Sequence, residues 1–483
     1  MAVRCRMIEY TYPKAAGLHI KSTKTMAKKP RKIKTAKGLR LKIVNPDSAG
    51  IDIADGEMQV CVPEDRDGDN NRRFGSFTED LIEICEWLRV CRINTVAMEA
   101  TGVYWIPLYL KLKDYGFDVI LANPTQVKNF TQVKNFTQDK TDAADAESLM
   151  LQHSYGLIKP SFQPENITRQ IRNLARHRMT IVDKSGQETQ RMQKAMEMMN
   201  IKLSTVISDV LGKSGQAIIR AILDGNHDPK SLAELADPKC KASKETIAKS
   251  LEGTWDADKL FMLKQSVDCY DFYQKQLAEC DKMIESLLAE YTAEIDIKSN
   301  KFVRTRKRTS QKNAVAFDME LYAHAVFGVN IMEMPGMSSN SMLQLVAELG
   351  HDFTDKFETC AKFCKWANTA PSNKISGGKL LSSHMKKRKN PVGQVLRICA
   401  NAVRNEKSEM GAYFRRMKSK SGHNQAVVAT AHKMARILYA MVKYKREYNP
   451  AKVGCTEKEL LIKKRDRAQK ALQKLEQKLK EAS

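Results

Sequence analysis

The sequence predicts an α/β domain near the N-terminus, a helical middle and a mainly α-helical C-terminal domain. Short apolar runs alternate with helix-period segments from residue 49 to about 154, and long three- and four-residue spacings fill the middle. At 483 residues the chain exceeds what one core holds, so several domains are expected. Their boundaries, read from texture, are a basic arm 1–45, an α/β domain 46–160, a helical region 161–300, a basic linker 301–320, a helical domain 321–450 and a basic helix 451–483.

The arm carries lysines and arginines from Lys21 to Lys42 with no acid among them, a pattern of solvated chain that touches phosphate non-specifically. Met26 is an alternative start. Next, 50–54 reads as a strand, Asp55-Gly56 as a hairpin turn, and Met58, Val60 and Val62 as the return strand. Residues 73–77 add a third strand. Leu81, Ile84, Cys85 and Leu88 mark a helix over 78–90. Strands at 94–98 and 117–122 bracket a helix at 104–115, and another helix starts near Thr141.

In the middle, Leu260, Leu263, Val267, Tyr270, Gln274, Leu277, Asp281, Ile284, Leu288 and Tyr291 form a heptad seam, interrupted by Gln274 and Asp281. Ile167, Ile171, Leu174 and Ile181 supply a partner helix, so an antiparallel coiled-coil hairpin, or one that dimerises, is expected. KFVRTRKRTSQK is a basic linker. In the tail, Leu461, Ala468, Leu472, Leu475 and Leu479 line one side of a lysine-rich helix that dimerises or faces phosphate.

A net charge of +25 points to a polyanionic partner, because lysine and arginine gain affinity by releasing phosphate counterions. No apolar run approaches the roughly 18 residues that span a bilayer, and no secretory signal or membrane partner is expected. The cysteines lack framework or C-x-x-C spacing, which suggests reduced thiols in a cytoplasm; Cys360 and Cys364 read as core thiols.

Four acids occupy suggestive places. Asp52 sits mid-strand between Ile51 and Ile53, where an unpaired charge is costly. Glu99 ends an apolar strand, and Asp142 and Asp145 share a helix face. Taken alone, the last two are ordinary helix-start acids behind Thr141 as N-cap. All four in this order of elements form the RNase H/RuvC arrangement, whose carboxylates hold one or two Mg²⁺ ions for phosphodiester chemistry.

The stretches AGIDIA, VAMEATGVYWIPLYLKL, LANPTQVKNF, KTDAADAESLMLQHSYGL and FRRMKSKSGHNQAVVATAHKMARILYAM resemble the insertion-sequence transposases of the IS110 family, also called DEDD transposases. With VISDVLGKSG, CKAS and KISGGKLLSS, they are most similar to its IS1111 branch, over roughly 49–448. The resemblance implies a RuvC-like catalytic domain, a coiled-coil middle and a C-terminal transposase domain. It places the DEDD acids on Asp52, Glu99, Asp142 and Asp145, with Mg²⁺, as two ions, for cofactor.

It also implies a serine nucleophile that forms a phosphoserine link to DNA, by motif position Ser376, with Ser382 and Ser383 as lesser candidates. Lys374, Lys379, Lys386, Lys387, Arg388 and Lys389 surround Ser376 with charge for nucleic acid. The implied partners are donor and target DNA, a structured guide RNA from the element, and further copies of the chain as dimer or tetramer, in a prokaryotic cytoplasm near the nucleoid. MPGMSSNSMLQLVAELG resembles a helix-hairpin-helix-like segment, with Ser338 where relatives carry a second glycine. The alternatives are a RuvC-like junction endonuclease that uses water, which needs the acids and not Ser376, and a catalytically dead nucleic-acid-binding relative.

Thr125–Phe130 recurs at once as Thr131–Phe136. The second copy has the family's spacing to Asp142, so the first reads as a tandem insertion in a loop, where six residues cost little closure entropy.

Overall fold

The computed structural model describes residues 42–100, 102–122, 141–164, 166–293, 304, 313–387, 389–453 and parts of 461–475. The TQVKNF repeat, Arg388, nearly all of the arm, and most of the linker and tail lie outside the described residues. The chain divides into two compact units, Met1–Ser161 and Phe162–Ser483.

The first unit holds β1 (Ser48–Ile53), β2 (Met58–Cys61), β3 (Asn71–Phe74), α1 (Thr78–Val90), β4 (Thr95–Glu99), α2 (Trp105–Asp114), β5 (Asp118–Ala122) and α3 (Asp142–Ser154). The sheet order is β3-β2-β1-β4-β5. β1 runs antiparallel to β2 and parallel to β4, and β4 runs parallel to β5. Gly56, at φ +83°, makes the β1–β2 turn.

The period of two sorts β1 onto two faces. Ala49, Ile51 and Ile53 join a core with Ile84 and Leu88 of α1 and Leu108 and Leu112 of α2. Ser48, Gly50 and Asp52 take the other face, which α3 covers. The predicted third strand, 73–77, is displaced to Asn71–Phe74. Phe77 instead opens α1, its amide donating to Asp80 Oδ2 at 2.8 Å, so its backbone serves a helix start and not a ladder.

The second unit is mostly helical. α4 (Asn166–Met198) is followed by α5 (Lys213–Leu223), α6 (Pro229–Glu234), α7 (Lys244–Ser250) and α8 (Ala257–Ala293). α4 and α8 run antiparallel, since Arg178 meets Asp281 and Ser185 meets Gln274. The two interruptions of the heptad seam are therefore the two polar pairs across it. At one end Met196, Ile218, Ile222, Ile247 and Leu263 close a small core around α5–α7. At the other, Ile171, Ile284 and Leu288 enter a larger core.

That larger core continues into α9 (Met319–Phe327), α10 (Ser339–Leu349), α11 (Cys360–Trp366), α12 (Pro391–Ala402), α13 (Glu409–Ser421) and α14 (His423–Tyr444). Cys360 and Cys364 lie on α11 with their sulfurs 3.9 Å apart. In the helix-hairpin-helix-like segment, Ser338 caps α10 by accepting from Ser341 N. A Cβ on Gly336 would stand 2.5 Å from Cys399 O, so this turn is pressed against α12 and serves packing.

One element was not foreseen. The stretch around Ser376 is a hairpin, β6 (Ser372–Ser376) and β7 (Lys379–His384). Gly377 and Gly378, at φ +52° and +76°, form its two-residue turn, a conformation that glycine adopts without strain.

Candidate active site

The packing of α3 on β1 builds the carboxylate cluster. A Cβ on Gly50 would lie 2.2 Å from Met150 N and 2.3 Å from Ala146 O, so only glycine admits the helix this close. Ser48 Oγ sits 2.7 Å from Ser154 Oγ at the far end of the helix. The helix therefore runs back along β1: Ser48 meets Ser154, Gly50 meets Met150 and Ala146, and Asp52 meets the first turn, which carries Asp142 and Asp145.

Glu99 comes to the same place by register. Gly50 pairs with Ala97 and Ile51 with Met98, so one further step sets Asp52 beside Glu99. Thr95 Oγ1 contacts His153 Nε2 at 2.9 Å and Ala97 packs with Leu149, so residues 95, 97 and 99 face α3. The four acids named from sequence thus share one face and one end of the sheet. Thr141 Oγ1 accepts from Ala144 N at 3.3 Å and caps α3, as expected from sequence.

Burial raises the Asp52 carboxyl from 3.8 to about 6, and the charges of Asp145, Glu99 and Asp142 push it the same way. Among the described residues no three His, Cys, Asp or Glu side chains converge as a ready ligand set. The like charges of Asp145, Glu99 and Asp142 around Asp52 are what a divalent cation would offset. The donors are all carboxylate oxygens, which suits Mg²⁺.

The raised value gives a pH dependence. Between pH 3.8 and about 6 the folded chain keeps a proton that the unfolded chain has lost, so stability falls as pH rises through that window and stays lower above it. In metal-free protein, Asp52→Asn should melt above the parent at pH 7.5, and the gap should close toward pH 4. Scanning calorimetry of both proteins across that range measures it.

Sequence reading missed the neighbours of Asp52. Asp52, Ala54, Glu57, Gln59, Arg73 and Asp142 line one small cleft. Gln59 Nε2 donates to Asn71 Oδ1 at 2.7 Å, and Asn71 Nδ2 donates to Ala143 O at 2.9 Å, tying β2 and β3 to the start of α3. The available signal was Gln59, the polar position in the alternating strand Met58–Cys61.

Ser376 lies in the other unit, as the last residue of β6 beside the glycine turn, and it is exposed. Lys374 and Lys379 are exposed on the same hairpin, and Lys386, Lys387 and Lys389 are exposed just beyond it. Asn368 Nδ2 donates to Lys386 O at 3.2 Å and anchors the hairpin's base.

Residues 49–201 match a DEDD transposase model of the IS110 type, described as Transposase, and residues 329–415 match the Transposase IS116/IS110/IS902 family. The chain belongs to the IS110 family of transposases. No curated protein matches it significantly. The first match spans all four acids of this transposase, and the second spans the Ser376 hairpin. A transposase acts on DNA, which identifies the polyanion called for by a net charge of +25. Among the described residues, no helix is long and apolar enough to cross a membrane.

Proposed function

We propose that this IS110-family transposase, of the IS1111 branch, cuts and rejoins DNA using Mg²⁺ held by Asp52, Glu99, Asp142 and Asp145. Ser376 is the nucleophile, and a structured RNA from the element guides the reaction. The observation that supports this most is the placement of four carboxylates around the end of β1, near enough that burial and like charge hold Asp52 at about 6. When bound, the metal supplies positive charge at the nucleophile and the leaving oxygen.

The chain's own residues do the rest. Asp52 gives up its proton near neutral pH, so the site gains donor strength as pH rises through about 6. Asp142 and Asp145 are fixed to a capped helix start packed on β1, which sets their distance from Asp52. Ser376 Oγ bonds to phosphorus while a sugar oxygen leaves and takes a proton; the serine proton passes to solvent or a nearby base. The resulting phosphoserine ester is reversed by a sugar hydroxyl of a second strand, which joins the DNA.

The lysines around the hairpin hold phosphate. The α4–α8 pair acts as a coiled-coil arm for assembly into dimers or tetramers, which the exposed Phe261, Phe272 and Met283 of α8 favour. Asp142→Ala and Ser376→Ala should each lower strand exchange by at least about 10³-fold. Full activity in Asp142→Ala would defeat the metal reading. Cleavage retained in Ser376→Ala would point to hydrolysis by water.

A further inference from the structure

We propose that Arg73 grips the DNA phosphate next to the one that is cleaved, a role that rests on the carboxylate site proposed above. The sheet register carries the argument. Asp52 pairs with Gln59, and Gln59 pairs with Arg73, so the three stand in one row across β1, β2 and β3. They share a face and line the same cleft with Asp142. Glu99 continues the row on β4 by the register described above.

Strands lie about 4.8 Å apart, which places the Arg73 backbone about 10 Å from that of Asp52. Its guanidinium therefore serves a neighbouring phosphate and leaves the cleaved one to the acids. That neighbour needs a grip. Asp52, Glu57 and Asp142 line the cleft with negative charge, which a cation held by the acids would offset at the cleaved phosphate. Arg73 is the basic residue in the lining.

Arg73 is also available. Its ion-pair partner is Glu57, and the two side chains are 65% and 46% exposed. Such pairs contribute little, so a phosphate displaces Glu57 at small cost. Guanidinium binds phosphate through two parallel hydrogen bonds, which lysine does not reproduce. Gln59 is a positioning residue here: its amide, bonded to Asn71, spaces Arg73 from Asp52 and links the row to α3.

The test uses the full chain with its element's RNA and a duplex spanning the element's own end, with single neutral methylphosphonates placed on either side of the cut. Arg73→Ala should raise KM by about 10-fold or more, the loss of one charge-assisted contact, with kcat and Mg²⁺ affinity little changed. One flanking methylphosphonate should cost the parent a similar factor and cost Arg73→Ala almost nothing further. Arg73→Lys should recover part of the loss, and Glu57→Gln should not raise KM.

A parental KM in Arg73→Ala, or losses that multiply at every flanking position, would overturn the grip. Asp142→Ala separates the two ideas. If it cleaves normally, the carboxylate reading fails; if it is dead while Arg73→Ala behaves as the parent, only the grip fails.

Discussion

Gly50→Ala should abolish strand cleavage and cost the first unit about 3 kcal/mol of stability, at the upper end for overpacking a close contact. The added methyl would meet Met150 N and Ala146 O, at 2.2 and 2.3 Å. Both are backbone atoms of α3, so no side-chain rotation relieves the clash and the helix must move off the sheet. Asp142 and Asp145 move with it, away from Asp52. Gly68→Ala is the control: nothing lies within 4 Å of its Cβ, and the parental melting temperature should be kept. A parental melting temperature in Gly50→Ala would refute the close packing of α3 on β1.

Arg178→Ala should destabilise the second unit by about 3–5 kcal/mol, read from denaturant or thermal unfolding, because it leaves Asp281 as an unpaired buried charge. The two side chains are only 5% and 6% exposed and are joined by two hydrogen bonds, at 2.5 and 3.2 Å. Arg178 also donates to Asn340 Oδ1 and Asn313 O, both at 3.1 Å, while Asp281 Oδ2 accepts from Ala316 N at 3.1 Å. One guanidinium thus ties α4, α8, α10 and the segment leading into α9. Replacing Arg178 and Asp281 together with Met and Leu should cost much less than either single change to alanine, since no charge is then stranded.

This pair also shows how much of the fold was legible in the sequence. The heptad seam placed α8, and its exceptions at Gln274 and Asp281 were visible. Their partners were not: Arg178 lies 103 residues from Asp281 and joins it only when the two helices align. The four acids were legible because each stands at a local oddity, an acid inside an apolar strand, at a strand's end or in a helix's first turn. Gln59 is marked only as the polar position of an alternating strand, and Arg73 is not marked at all. Their place beside Asp52 depends on the pairing of three strands, and a one-residue shift would turn them to the other face.

The Ser376 hairpin escaped for a related reason. Ile375, Leu380 and Leu381 are exposed, so no buried face imposes the alternation that reveals a strand. Only Gly377-Gly378 marked the turn. β3 was placed too late because Phe77 looked like a strand residue, whereas Asp80 claims its amide for the start of α1.

The central claim, that β1, β4 and α3 bring four carboxylates together to hold divalent metal, is tested most directly by calorimetric titration of Mg²⁺ into metal-free protein. The parent should bind saturably and release protons near pH 6, while Asp52→Asn and Asp142→Asn should each lose most of the affinity. Binding of equal strength and proton release in all three proteins would contradict it.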